Sequence, residues 1–307
     1  MKPVVSVLLP VYNGEVYLKP AIESVLNQTF GDWELFIGDN ASTDGTRAII
    51  ESYRDPRIRV HRHATNIGLA PNWNFLLQNA RGDYACVLGA DDVFEPNHLE
   101  RKVNLLQKFP DSPFIHGTVQ IMDEHGTKTK IYEQNVPFEE SRGAFLHRML
   151  RGNPVNAHTT VFRLHEAKSI GFNTHYTFLL DWCFWMEFAL NTSGMILYDN
   201  LITMKYRMHP QNTTNLQIKS FRWLIEGVNL QLQMLNEYAN TFRNLGIDPE
   251  AEENRLTDNL WALAFQQARH GKWDEARQVW KIYRQYHGVF EMLRNVPSHY
   301  WKRLLAK

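Results

Sequence analysis

The chain has 307 residues, 44% of them hydrophobic and 21% charged, and its 33 basic side chains balance 33 acidic ones to a formal charge of zero. That length can bury a full core as one large domain or a domain with an appendage, and the even charge argues against nucleic acid as the main partner, because phosphate-backbone binders carry a basic excess. Two cysteines, Cys86 and Cys183, each inside an apolar or aromatic run, offer neither a disulfide framework nor a cysteine metal site and suit a reducing compartment.

The first apolar run, "VVSVLLP" at 4–10, reads as a buried strand. Pro10 breaks it too early for a signal-peptide core or a membrane span, and no later stretch of eighteen apolar residues occurs, so a cytoplasmic protein, with peripheral membrane contact left open, is expected. Residues 14–29 place Leu18, Ala21, Ile22, Val25 and Leu26 on one helical face. "ELFIG" is a second strand, "STDGTRAIIESYR" a turn and helix, and "RIRVHRH" a third strand on which His61 and His63 alternate toward solvent. Pro71 opens a helix running to Ala80, and "YACVLGA" at 84–90 is the fourth strand. Strands alternating with helices predict βαβ units and a mostly parallel sheet covered on both faces.

In such sheets ligands bind outside the carboxyl ends of the strands. Pro10, Val11, Tyr12 and Asn13 end strand one, Asp39 and Asn40 end strand two, and Asp91 and Asp92 end strand four, so three polar clusters are expected along one sheet edge. The adjacent carboxylates Asp91 and Asp92 repel one another unless something positive is nearby. They read either as a turn before the helix that starts near Pro96, with Leu99, Val103 and Leu106 on its apolar face, or as a hard-cation site.

Farther along, "PFIHGTVQIM", "HTTVFR" and "LITMKYR" are strand-like, around helices near 143–151 and 181–191. The aromatic cluster Trp182, Phe184 and Trp185 reads as core. A change to long helical stretches puts a boundary near 215, giving a domain over 1–215 and a helical region over 216–307. Within the latter, residues 257–286 form one tetratricopeptide-like hairpin with small residues at Ala264, Ala268 and Ala276 and a turn at Gly271. No second copy follows, so a bracing hairpin is expected rather than a solenoid. The end, "FEMLRNVPSHYWKRLLAK", mixes Tyr300 and Trp301 with Lys302 and Arg303, a pattern that suits an amphipathic packing helix or a membrane surface.

Taken together, "VSVLLPVYN", "SVLNQTFGDWELFIGDNASTDGT", "NIGLAPNWN", "RGDYACVLGADDVFEP", "LLDWCFWMEFAL" and "YRMHPQNT" resemble glycosyltransferase family 2, in order and spacing over roughly the first 215 residues. The resemblance implies the GT-A fold, a Rossmann-like α/β architecture, with the helical C-terminal extension outside it. It also implies an inverting transfer of sugar from a nucleoside diphosphate, UDP or dTDP by first expectation, to a hydroxyl of a glycan or lipid-linked acceptor in surface-polysaccharide synthesis. It further implies Mn2+ or Mg2+ as cofactor.

By the same resemblance, Pro10, Val11, Tyr12, Asn13, Asp39 and Asn40 would hold the nucleotide, the Asp39 carboxylate accepting from the base edge. Asp92 would bind the metal, and Asp91 the ribose or a metal-bound water. The family often ends this strand Asp-x-Asp-Asp, and Gly89 stands at the first of those positions here. Asp181 aligns with the general base, or caps its helix. His209 would be a further metal ligand or phosphate donor, with Arg207 neutralising the diphosphate, and His158 is a candidate for the acceptor side. A nucleotidyltransferase is disfavoured because "PVYNGEVYLKP" lacks a Gly-rich basic phosphate loop, and a dinucleotide oxidoreductase because no G-x-G-x-x-G follows strand one. The alternative is a retired nucleotide-binding scaffold that uses its helical region for partners. Oligomeric state is not legible.

Overall fold

The computed structural model describes residues 2–176, 178–212 and 222–286, so the basic aromatic end at 290–307 lies outside the described residues. The chain divides into two compact units, Met1–Leu216 and Gln217–Lys307.

In the first unit, continuous β-branched and leucine-rich runs give β1 (Val5–Val11), β2 (Trp33–Asp39) and β4 (Tyr84–Val87), each almost wholly buried, with the more exposed β3 (Ile58–Arg62) at the edge. Buried strands of this kind have helices over both faces. Alternate β1 residues Val5, Val7 and Leu9 pack with Leu18 and Ile22 of α1 (Leu18–Leu26) and with Leu99 and Val103 of a helix at His98–Lys108, while on the other face Phe36 meets Phe75 of a helix at Leu69–Asn79, ring centroids 6.1 Å apart. In chain order α2 is Thr46–Ser52, α3 is Leu69–Asn79, β5 is Val93–Phe94 and α4 is His98–Lys108.

The next strands are β6 (Phe114–Gly117), β7 (Val119–Met122), β8 (Lys128–Tyr132) and β9 (Glu139–Glu140). After α5 (Arg142–Met149) come β10 (Val161–Arg163), α6 (Leu164–Ile170), α7 (Leu180–Asn191), β11 (Ile196–Asp199) and β12 (Met204–Arg207). The main sheet has eight strands in the order β3-β2-β1-β4-β10-β6-β11-β9, and a second sheet has four in the order β5-β12-β7-β8. Strands β3, β2, β1 and β4 are parallel, and β10 is antiparallel to β4. The carboxyl ends of β1, β2 and β4 therefore share one edge.

Two expectations change. "PFIHGTVQIM" is not one strand: β6 pairs in the main sheet and β7 in the small one, and the break follows Gly117, where a Cβ would lie 2.6 Å from the Asp199 carbonyl oxygen. His61 and His63 do not face solvent. His61 lies over Phe75, centroids 4.0 Å apart, and His63 Nε2 is 3.1 Å from Asn72 Oδ1, which leaves Val60 and Arg62 as the exposed positions of β3. Trp182, Phe184 and Trp185 are core, all nearly or wholly buried.

The second unit contains α8 (Arg222–Glu237), α9 (Ala239–Asn244), α10 (Pro249–Arg269) and α11 (Trp273–Tyr286). Asp248 caps α10 ahead of Pro249, its side chain accepting from the Glu250 and Ala251 amides. Gly271, at φ +76°, makes the turn into α11, and Ala264, Ala268 and Ala276 are buried in the hairpin. Among the described residues no helix is long and apolar enough to cross a membrane.

Candidate active site

The ends of β1 and β2 are tied together residue by residue. The Asn13 amide donates to Ser42 Oγ (2.9 Å), and Asn13 Oδ1 accepts from the Thr43 amide (2.9 Å). Next to it the Gly14 amide donates to Thr46 Oγ1 (2.8 Å) and the Gly45 amide to Glu15 Oε2 (2.8 Å). Asn13 and Ala41 adopt positive φ, 52° and 60°, conformations that cost a non-glycine residue and that these bonds compensate. Beside this rim Pro10 is half-buried, Val11 is buried, and Tyr12, 51% exposed, presents its ring.

Asp39 is 1% exposed, with Oδ1 accepting from the Ser42 amide (2.9 Å) and Oδ2 3.6 Å from Arg62 Nε. The carboxylate thus closes the turn after β2, and its further lone pairs remain for a ligand. Asn40 is different: Nδ2 donates to Asn66 Oδ1 and to the Gly68 carbonyl, while Oδ1 accepts from the Ile67 amide. Its side chain is spent holding the loop before α3.

At the end of β4, Asp91 and Asp92 occupy unlike environments. Asp92 is fully buried; Oδ1 accepts from the Arg207 amide (2.8 Å), and Oδ2 has no hydrogen-bond partner among the described residues. Burial, with the neighbouring Asp91 charge, pushes its carboxyl well above the usual carboxylate range, partly offset by the Arg207 amide. Asp91 is half-buried, and its Oδ2 accepts from His209 Nε2 (3.0 Å) and Asn212 Nδ2 (2.9 Å). His209, read from the sequence as a further metal ligand or phosphate donor, is thus paired with Asp91. Its Nε2 must carry a proton there, because an ionised carboxylate only accepts. The imidazole also lies 4.9 Å from the Tyr17 ring.

Arg207 does not reach out toward a diphosphate. It is buried, with Nε donating to the Asp91 carbonyl (2.9 Å), Nη1 to the Asp123 and Glu124 carbonyls (both 3.3 Å), and its guanidinium 4.7 Å over the Tyr17 ring. It fastens the carboxylate turn to the β7–β8 loop. Arg207→Met is accordingly expected to lower the free energy of unfolding by about 2–4 kcal/mol, from the loss of the hydrogen bonds that a buried, charged guanidinium donates to three carbonyls. A urea midpoint equal to wild type, with activity lost, would instead return Arg207 to the phosphate role.

Asp181 sits half-buried in the first turn of α7, while the N-cap position is Leu179, so Asp181 is not the cap. The carboxylate accepts from Asn153 Nδ2 (3.0 Å). Burial raises its carboxyl to about 6, against the opposing pull of the Trp182 amide and Asn153. Asn153 Oδ1 in turn accepts from the Val155 amide (3.0 Å), and Asn156 Oδ1 from the His158 amide (3.0 Å). The loop then delivers His158 Nδ1 to within 3.2 Å of the Val87 carbonyl, at the end of β4. One loop, 153–158, therefore touches both the head of α7 and the carboxylate turn. Asn153, Asn212 and Tyr17 went unread in the sequence, since nothing in their spacing marks them.

No cluster of three metal-ligating His, Cys, Asp or Glu side chains forms among the described residues. The orphaned Asp92 Oδ2 nevertheless fits a divalent cation. A buried carboxylate oxygen without a donor is costly, and Asp91 and Asp92 converge on the hydrogen-only face of Gly89, where a Cβ would lie 2.8 Å from Asp92 Oδ2 and 3.0 Å from Asp91 Oδ1. Hard cations take such oxygens together with water and substrate phosphates.

The family model described as Glycosyl transferase family 2 matches residues 6–165. An uncharacterized glycosyltransferase of Rickettsia typhi is 27% identical over 220 residues, covering 69% of this chain and 66% of the relative, so the chain spans just under two thirds of that protein's length. Among solved structures, Staphylococcus aureus TarS 1-349 in complex with UDP-GlcNAc superposes with a TM-score of 0.63 at 20% identity, covering 92% of each chain. The mannosyltransferase PcManGT from Pyrobaculum calidifontis, in complex with GDP-Man and Mn2+, superposes with a TM-score of 0.55 at 15% identity, covering 99% of this chain and 84% of the other.

Proposed function

The chain belongs to glycosyl transferase family 2 and has its GT-A fold, and on that premise we propose that it transfers a sugar from a nucleoside diphosphate to a hydroxyl of a glycan or lipid-linked acceptor, with inversion and with a divalent cation. The setting we propose is surface-polysaccharide synthesis, at the inner face of the membrane when the acceptor is lipid-linked. The observation that carries this reading is the pair of carboxyl environments joined by the 153–158 loop: the Asp181 carboxyl at the head of α7 and the acidic turn at the end of β4, where Asp92 Oδ2 has no donor among the described residues.

In this reading Tyr12 and Asp39 border the nucleobase, with the Asn13 and Ser42 turns holding them rigid. Asp91 orients the ribose, fixed by His209 and Asn212. Asp92 would hold Mn2+ or Mg2+, which when bound supplies Lewis acidity to the departing diphosphate. Asp181 accepts the proton of the acceptor hydroxyl as that oxygen attacks the anomeric carbon, and Asn153 keeps its carboxylate aimed. A carboxyl titrating near 6 is ionised at neutral pH yet basic enough to take the proton. UDP-GlcNAc in TarS and GDP-Man in PcManGT mark both uracil and guanine nucleotides for testing beside dTDP.

The test is release of nucleoside diphosphate from a panel of donor sugars with a saccharide acceptor. With an active donor, kcat/KM is expected to fall about tenfold per pH unit below about 6 and to level off above it, because the protonated Asp181 cannot accept. A flat profile between pH 5 and 8 would remove Asp181 as the base.

A further inference from the structure

We infer that His158 is a metal ligand of this site, its Nε2 and the Asp92 Oδ2 together holding the divalent cation. The inference rests on the metal-dependent reading above and adds to it a nitrogen ligand.

The argument begins with the tautomer. His158 Nδ1 is 3.2 Å from the Val87 carbonyl, which can only accept, so Nδ1 carries the proton. With the ring neutral, Nε2 presents a bare lone pair. That lone pair lies 3.8 Å from Asp92 Oδ2, the fully buried oxygen without a donor among the described residues. With the Asp92 carboxyl ionised, as a metal ligand must be, two acceptors then face one another across that gap. At 3.8 Å the gap is too long for a hydrogen bond, and it lies within the roughly 4.2 Å that two bonds of about 2.1 Å to one ion can span.

The rest of the ring's setting is that of a fixed ligand. A metal-bound histidine usually donates its other N–H to a backbone carbonyl or carboxylate, which sets its tautomer and orientation. Here the Val87 carbonyl takes that part, on the strand that leads to Asp91 and Asp92. The imidazole lies near-parallel to the Tyr206 ring at 6.3 Å and 6.1 Å from the Trp73 ring, and its own amide is held by Asn156. The Asp-x-Asp-Asp pattern has glycine at its first place here, so one oxygen donor of that pattern is absent, and His158 supplies a donor to the same turn. His209, by contrast, spends its Nε2 proton on Asp91.

The experiment is pulsed EPR of Mn2+ bound to the full chain, alone and with UDP, reading nitrogen hyperfine coupling at the ion. The expected result is an imidazole nitrogen signal in wild type that disappears in His158→Gln, with Mn2+ affinity reduced roughly 10- to 100-fold, and that persists in His209→Gln. Thermal melts check that both variants fold, and if His158→Gln does not, His209→Gln alone decides which histidine gives the signal. A signal surviving in His158→Gln, or lost in His209→Gln, overturns the inference. Mn2+ bound without nitrogen in wild type overturns the inference and leaves the metal-dependent reading standing, whereas no Mn2+ bound under either condition overturns both.

Discussion

Replacing Asp181 by Asn is expected to lower turnover by roughly 10² to 10⁴ while leaving donor affinity and the fold intact. That range is what losing a positioned general base costs, and at 1.36 kcal/mol per decade it corresponds to about 3–5 kcal/mol of transition-state stabilisation. The side chain lies in the first turn of α7, and among the described residues its side-chain partner is Asn153, whose Nδ2 donates to the carboxylate. An amide of the same size can turn its oxygen to that donor, so nothing nearby is stranded.

Stability gives an independent control. The carboxyl of Asp181 titrates higher in the folded chain, about 6, than at its ordinary 3.8. A raised carboxyl favours the folded state fully below the unfolded value and loses that contribution as pH rises through about 6. At pH 8 the ionised group therefore costs stability, and Asp181→Asn is expected to melt at or above the wild-type temperature there. Lost turnover with an undiminished melting temperature separates chemistry from folding. Near-normal turnover would remove Asp181 from the mechanism.

The second large effect is at Asp92. Asp92→Asn is expected to abolish the Mn2+ requirement together with most of the activity. A Lewis acid at a departing diphosphate is worth several kcal/mol, so a loss of at least roughly a thousandfold follows at 1.36 kcal/mol per decade. Asn is a cleaner test than Ala because Oδ1 accepts from the buried Arg207 amide, and Ala would strand that donor at a cost of about 1–3 kcal/mol. An Mn2+ titration of activity indistinguishable from wild type would refute Asp92 as a ligand.

Both positions were legible in the sequence, Asp92 from two like charges at the end of an apolar run and Asp181 through resemblance. What stayed hidden was hidden for identifiable reasons. Arg207, next to a His-Pro loop, looks like a phosphate ligand, and only burial and its three carbonyl partners reveal a brace. Asn40 follows Asp39 as though the two shared a task, yet its amide belongs to the loop before α3. His158 and Asn153 lie in a segment with no periodicity, brought to the site by a loop whose course depends on β10 reversing direction between β4 and β6. Strand β11, "ILYD", is short and gave no alternation, so its place between β6 and β9 was not foreseen. The parallel half of the sheet, with its long apolar strands, was the part that local pattern could specify.

The most direct test of the central claim, a metal-dependent nucleoside-diphosphate site at the β1, β2 and β4 ends, is the thermal shift of the full chain with UDP, dTDP, GDP, CMP and NAD, each in Mn2+ and in EDTA. A ligand at about a hundred times its dissociation constant adds about 2.7 kcal/mol to the native state, a rise of roughly 5–10 °C for a unit of this size. The expected result is such a rise with one nucleoside diphosphate in Mn2+ and little or none in EDTA. The same rise in EDTA, or no rise with any nucleotide, would contradict it.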